Sequence, residues 1–91
     1  MSSINLPPLF VDESAKVHQC LLNEGCEIYG TIEKSVVYSG VKIGKGARIK
    51  NTVILPNTII EENAWIENAV IGSQTVVKNG VIIVSKDPNA D

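Results

Sequence analysis

Cysteine, histidine and aromatic residues are scarce in this chain, and each scarcity removes a class of function. Only Cys20 and Cys26 are present; they match no metal-finger spacing, and a single pair would make a sparse disulfide framework, so free thiols are expected. Eight basic residues against ten acidic ones leave a formal charge of −2, so no global field points to nucleic acid or to an anionic membrane, and neither is expected as a partner. No apolar run approaches the roughly 18 residues of a membrane span, and Met1-Ser2-Ser3-Ile4 lacks both the basic and the apolar regions of a signal peptide. The expected compartment is therefore the cytoplasm. There is no Gly-x-Gly-x-x-Gly phosphate loop. At 91 residues the chain is one small domain with no room for a second.

What the sequence does have is an apolar share of 44%, distributed in a repeat. β-Branched residues recur without helical spacing, and Gly, Asn and Pro punctuate them every five or six positions, as in short strands joined by tight corners. A self-alignment at a shift of 17 places Ile32, Ile49 and Ile66 in one column, Val37, Ile54 and Ile71 in a second, and Ile43, Ile60 and Val77 in a third. Small or β-branched residues follow most of these four positions later, at Val36, Val41, Ala47, Val53, Thr58, Ala64, Val70, Thr75 and Val81. This is a hexapeptide pattern. The first turn runs Val17, Leu22, Ile28 and reaches Ile32 after only four residues, which predicts a shortened corner at Ile28-Tyr29-Gly30-Thr31 with Gly30 relieving a cramped backbone.

Such spacing predicts an all-β, three-sided parallel β-helix of about four turns from Val17 to Val84, each side one short strand paired with its equivalent in the next turn. The expected organisation is a linker over 1–14, the coil over 15–84 and a polar tail over 85–91. Triplets such as Val41-Lys42-Ile43 and Ala47-Arg48-Ile49 send their first and third residues inward and the middle one outward. Cys26 then holds an inward column with Val41, Thr58 and Thr75, whereas Cys20 falls in a corner column with Ser35, Thr52 and Ala69.

The stretch Leu22-Asn23-Glu24-Gly25-Cys26-Glu27-Ile28-Tyr29-Gly30-Thr31-Ile32-Glu33-Lys34-Ser35-Val36 resembles the opening of the β-helix in bacterial ADP-glucose pyrophosphorylases, also called glucose-1-phosphate adenylyltransferases. Ser39-Gly40-Val41-Lys42-Ile43-Gly44-Lys45-Gly46-Ala47, Val53-Ile54-Leu55-Pro56, Glu67-Asn68-Ala69-Val70-Ile71-Gly72 and Leu6-Pro7-Pro8 are also similar to that family, and the resemblance covers roughly residues 7 to 84. It implies a left-handed coil, which spacing alone does not. It also implies membership in a glycogen-pathway enzyme that joins ATP and glucose 1-phosphate into ADP-glucose and pyrophosphate, with the chemistry in a separate N-terminal nucleotidyltransferase domain. For this domain the resemblance implies assembly into homo- or hetero-oligomers, support of the catalytic domain and a share in binding sugar-phosphate effectors. No catalytic, metal-binding or cofactor-binding residue and no cofactor carry over, and the chain is expected to be inactive alone, as an excised or truncated piece of a catalytic or regulatory subunit.

Other functions of the same coil are weighed by single residues. A stand-alone hexapeptide acyltransferase needs a reactive histidine beside a groove between subunits; His18 should lie outside on the first turn, and no loop insertion is present to build that groove. A hexapeptide carbonic anhydrase needs three histidines on zinc, and this chain has one. The scaffold of a mannose- or glucosamine-type nucleotidyltransferase is opposed by the Gly25-Cys26 stretch. Gly44-Lys45-Gly46 is a repeat corner. Lys42, Lys45, Arg48 and Lys50 form a basic run, either a solvated face or an anion site for an effector phosphate. The outward columns Lys16, Thr31, Arg48, Trp65, Ile82 and Glu27, Lys42, Ile59, Val76 turn apolar towards the C-terminal end, which marks Ile59, Trp65, Val76 and Ile82 as a candidate interface.

Overall fold

A computed structural model describes residues 8–86. Leu6-Pro7 and most of the expected tail lie outside the described residues. Among the described residues fourteen short strands, numbered along the chain, build three parallel sheets. The first sheet stacks β1 (Phe10–Val11), β4 (Glu27–Ile28), β7 (Lys42–Ile43), β10 (Ile59–Ile60) and β13 (Val76–Val77). The second stacks β2 (Lys16–His18), β5 (Thr31–Glu33), β8 (Arg48–Lys50), β11 (Trp65–Glu67) and β14 (Ile82–Val84). The third stacks β3 (Leu21–Leu22), β6 (Val36–Val37), β9 (Val53–Ile54) and β12 (Val70–Ile71). Each coil crosses the three sheets in the same order, so the chain is a β-solenoid of about four turns. No helix of the described residues is long and apolar enough to cross a membrane.

The register is the one the columns predict. Ile32 pairs with Ile49 and Ile49 with Ile66; Ile43 pairs with Ile60 and Ile60 with Val77. Backbone bonds between coils run at ladder distances, for instance Glu27 N–H to Val41 O at 2.9 Å and Trp65 N–H to Val81 O at 2.9 Å. Inside the prism Ile28, Ile32, Ile43, Ile49, Ile54, Ile60 and Ile66 are fully buried, each worth about 1.5–3 kcal/mol of burial.

The structure adds a strand within the 1–14 stretch. Val11 stands opposite Ile28, seventeen residues ahead of it, and Phe10 opposite Glu27, so the repeat begins one strand before Val17. The Phe10 ring packs on Tyr29 with centroids 5.6 Å apart. The inward residues of this first coil are covered from one side only: Val11 and Val17 are 42% and 37% exposed, against 0% for Ile28 and Ile32 beneath them.

Each kind of corner closes on a residue with positive φ. The corner from second to third sheet uses Gln19, Lys34, Asn51 and Asn68; that from third to first uses Gly25, Gly40, Asn57 and Gln74; that from first to second uses Gly46, Asn63 and Gly80. Asn and Gly recur there because they visit the left-handed region at the least cost. The first and second coils lack such a residue between the first and second sheets. Only Tyr29 and Gly30 separate β4 from β5, and a Cβ on Gly30 would stand 2.7 Å from the carbonyl oxygens of both Ala47 and Gly44. The shortened corner thus strongly favours glycine, since any side chain there would force the backbone to shift.

Candidate functional site

Because strands alternate in and out, side chains that could do chemistry stand on three outer faces. On the second face the outward positions form two columns, Lys16-Thr31-Arg48-Trp65-Ile82 and His18-Glu33-Lys50-Glu67-Val84. A shallow hollow of about 350 Å³ lies among Lys16, Thr31, Arg48, Lys50, Trp65 and Glu67. The indole N–H of Trp65 donates to Glu67 Oε2 at 2.6 Å, which orients the ring from the neighbouring position of the same strand. His18 is exposed at the end of β2, opposite Glu33.

A larger hollow, about 580 Å³, opens beside the shortened corner on the first face, among Tyr29, Lys42, Lys45, Glu61, Glu62 and Asn79. Tyr29 donates its phenol to Glu27 Oε1 at 3.1 Å, and that bond to a carboxylate holds the phenol above its ordinary range. At the first corner the Ser14 hydroxyl and backbone N–H both donate to Asp12 Oδ2, holding that carboxyl below its ordinary range. Among the described residues no group of three or more His, Cys, Asp or Glu could hold a metal ion.

The four basic residues do not surround one hollow. Lys42 and Lys45 border the first-face hollow with Glu61 and Glu62, while Arg48 and Lys50 border the second-face one. A corner of the prism runs between the pairs. Ile59 pairs with Val76 on the first face and Trp65 with Ile82 on the second; all four side chains are exposed. They therefore occupy two adjoining faces at the C-terminal end.

The third face carries an apolar outward column in which Val36, Val53 and Val70, four positions after Ile32, Ile49 and Ile66, stand in register. Leu21 and Val70, each 68% exposed, bracket the half-buried Val36 and Val53. Val36 and Val37 are both apolar, so alternation does not reveal which one faces out. The inward member of this triplet is Ser35, and with Thr52 it is buried. Ser35 Oγ donates to Glu33 O at 2.9 Å and accepts the Thr52 N–H at 3.1 Å, so within the corner column of Cys20, Ser35, Thr52 and Ala69 a hydroxyl links two successive coils. Cys26, fully buried in its inward column, donates its thiol to Tyr38 O at 3.0 Å, and both cysteines are free.

The family described as GlmU-like, C-terminal hexapeptide, matches residues 6–91. The chain is similar to proteins named glucose-1-phosphate adenylyltransferase from Bacillus thuringiensis (strain Al Hakam) and Bacillus anthracis, at 40% identity over 79 residues, 87% of this chain and 21% of each relative. It is 38% identical over 87 residues to the protein of the same name from Bacillus cytotoxicus, covering 96% of this chain and 23% of that relative. The chain thus spans between a fifth and a quarter of the length of the curated relatives it matches.

Proposed function

The chain belongs to the GlmU-like, C-terminal hexapeptide family, and from that premise we propose that it is the non-catalytic assembly and regulatory domain of a glucose-1-phosphate adenylyltransferase. The observation that carries this reading is the match itself: at 40% identity a coil with no phosphate loop covers 87% of this chain but 21% of a relative bearing that name. Chemistry that joins ATP and glucose 1-phosphate needs a phosphate cradle and metal-binding carboxylates, and those belong to the remainder of such a protein. The coil contributes rigidity and faces. Ile59, Trp65, Val76 and Ile82 are the contact surface for another subunit or for the catalytic nucleotidyltransferase domain. Lys42 and Lys45 on one side of the corner, with Arg48 and Lys50 on the other, form a cationic rim where an effector's phosphate would be held by charge-assisted bonds. The setting is cytoplasmic glycogen biosynthesis, and the domain itself requires no cofactor.

Two measurements test this. ADP-glucose formation from ATP and glucose 1-phosphate by the purified 91-residue chain is expected to be nil, and turnover would overturn the reading. The chain grafted into the Bacillus cytotoxicus relative, in place of the segment it matches, should give an active enzyme of unchanged subunit number. A folded chimera that fails to assemble would also overturn it.

A further inference from the structure

The two outward columns of the second face form a grid whose charges are complementary to themselves. Successive rows are Lys16 with His18, Thr31 with Glu33, Arg48 with Lys50 and Trp65 with Glu67, about 4.8 Å apart. Two such faces packed together are related by a two-fold axis lying in the contact plane. An axis parallel to the strands reverses the order of rows and keeps the columns. Placed midway between the second and third rows, it sets Lys16 over the partner's Trp65, Thr31 against the partner's Arg48, His18 against the partner's Glu67 and Glu33 against the partner's Lys50. All eight side chains then meet a favourable partner: a cation over an indole, a hydroxyl on a guanidinium, and two opposite-charge pairs.

Other placements of the same two faces are worse. Moving the axis half a row towards Trp65 opposes Arg48 to itself, Lys50 to itself and Glu33 to Glu67. Moving it half a row the other way opposes Lys16 to Arg48 and Glu33 to itself. A full row towards Trp65 leaves Lys16 and His18 uncovered and presses Glu33 onto Val84. An axis along the coil opposes Arg48 to Lys50. Like charges held face to face are penalised in a contact, which removes the half-row shifts and the axis along the coil; the full-row shift leaves Lys16, His18 and Glu33 without a polar partner, so the midway placement satisfies the most side chains. The third face, being uniformly aliphatic along Leu21, Val36, Val53 and Val70, encodes no such choice of register.

Resting on the assembly role proposed above, we infer that the second face is the docking surface for a second copy of this chain, paired through the axis just described, with Trp65 and Arg48 as its anchors. Trp65 suits that role because its indole N–H is already satisfied by Glu67 at 2.6 Å while the residue remains 40% exposed. Trp and Arg are the side chains most often found as anchors of contacts.

Sedimentation equilibrium of the 91-residue chain tests the pairing. Wild type should form a dimer that weakens as salt is raised from about 0.05 to 0.5 M, since the pairs are screened. Lys50→Glu places a carboxylate against the partner's Glu33 twice per dimer and should raise Kd by at least about tenfold. The swap Glu33→Lys with Lys50→Glu should restore wild-type association, while Val70→Glu, on the third face, should leave it unchanged. Circular dichroism establishes that each variant is folded. A wild type that stays monomeric, a Lys50→Glu chain that associates normally, or a folded swap that fails to recover would overturn the pairing. Association lost in Val70→Glu but kept in Lys50→Glu would overturn it too, while leaving the assembly role standing.

Discussion

The side-chain amide of Asn51 donates to the side-chain oxygen of Asn68 at 2.8 Å, one coil further along the same corner column, and Asn68 in turn donates to Ser85 O at 3.0 Å. Both asparagines have positive φ, 51° and 55°, and so does Lys34 above them at 51°. Lysine gains nothing from the left-handed region, whereas asparagine tolerates it and could extend the ladder to Asn51. Lys34→Asn should therefore stabilise the chain by about 0.5–1 kcal/mol. The check is a higher denaturation midpoint with an unchanged slope. A midpoint at or below wild type would show that the corner column does not set the backbone cost.

Gly30 and Gly80 are both corner glycines with opposite expectations. A methyl group on Gly30 meets two carbonyl oxygens at 2.7 Å, whereas around Gly80, with φ of +74°, nothing stands within 4 Å. Gly30→Ala should cost about 1–3 kcal/mol, as overpacking against backbone does. Gly80→Asn, which copies Asn63 in the same column, should stay within about 0.5 kcal/mol of wild type. Equal losses in thermal unfolding would mean that crowding at the shortened corner is not what requires Gly30.

Most of the coil was legible because its core repeats at a fixed interval. Once Ile32, Ile49 and Ile66 share a column, the outward neighbours Thr31, Arg48 and Trp65 follow from alternation. Legibility failed where the period-two signal is weak. Val11 opens the coil, but Leu9, Phe10 and Val11 are all apolar and exposed, so no alternation marks the strand. Val36 and Val37 hide the apolar third face for the same reason. The basic run shows another limit of reading along the chain: four nearby cations in sequence straddle a prism corner, because a coil turns to a new face every five or six residues.

Ala64 sits in the inward column beneath Ala47 at 1% exposure, against the narrow aliphatic interior. Ala64→Asp puts a carboxylate there with no cation within the prism to receive it, since the inward columns are aliphatic or hydroxyl-bearing. An uncompensated buried charge costs about 3–5 kcal/mol, a large part of the 5–15 kcal/mol that a small domain has. The variant is expected in the insoluble fraction or unfolded by circular dichroism. Soluble protein with wild-type unfolding would mean that Ala64 does not face inward.

Lys50 stands between Glu33 in the preceding coil and Glu67 in the next. Each opposite-charge neighbour on an exposed sheet face contributes about 0.2–1 kcal/mol, and like charges in the same place cost a similar amount. Lys50→Glu replaces two attractions with two repulsions, so a loss of about 1–4 kcal/mol is expected, short of unfolding the coil. Screening separates this from a packing effect: at about 1 M salt the Debye length falls to about 3 Å, shorter than the row spacing, and most of the loss should vanish. The measurement is the melting temperature of wild type and variant at low and high salt, taken at a concentration where both are monomeric. A deficit that persists undiminished in high salt would show that the Lys50 stem matters through its packing on the sheet, and that the charge ladder is incidental.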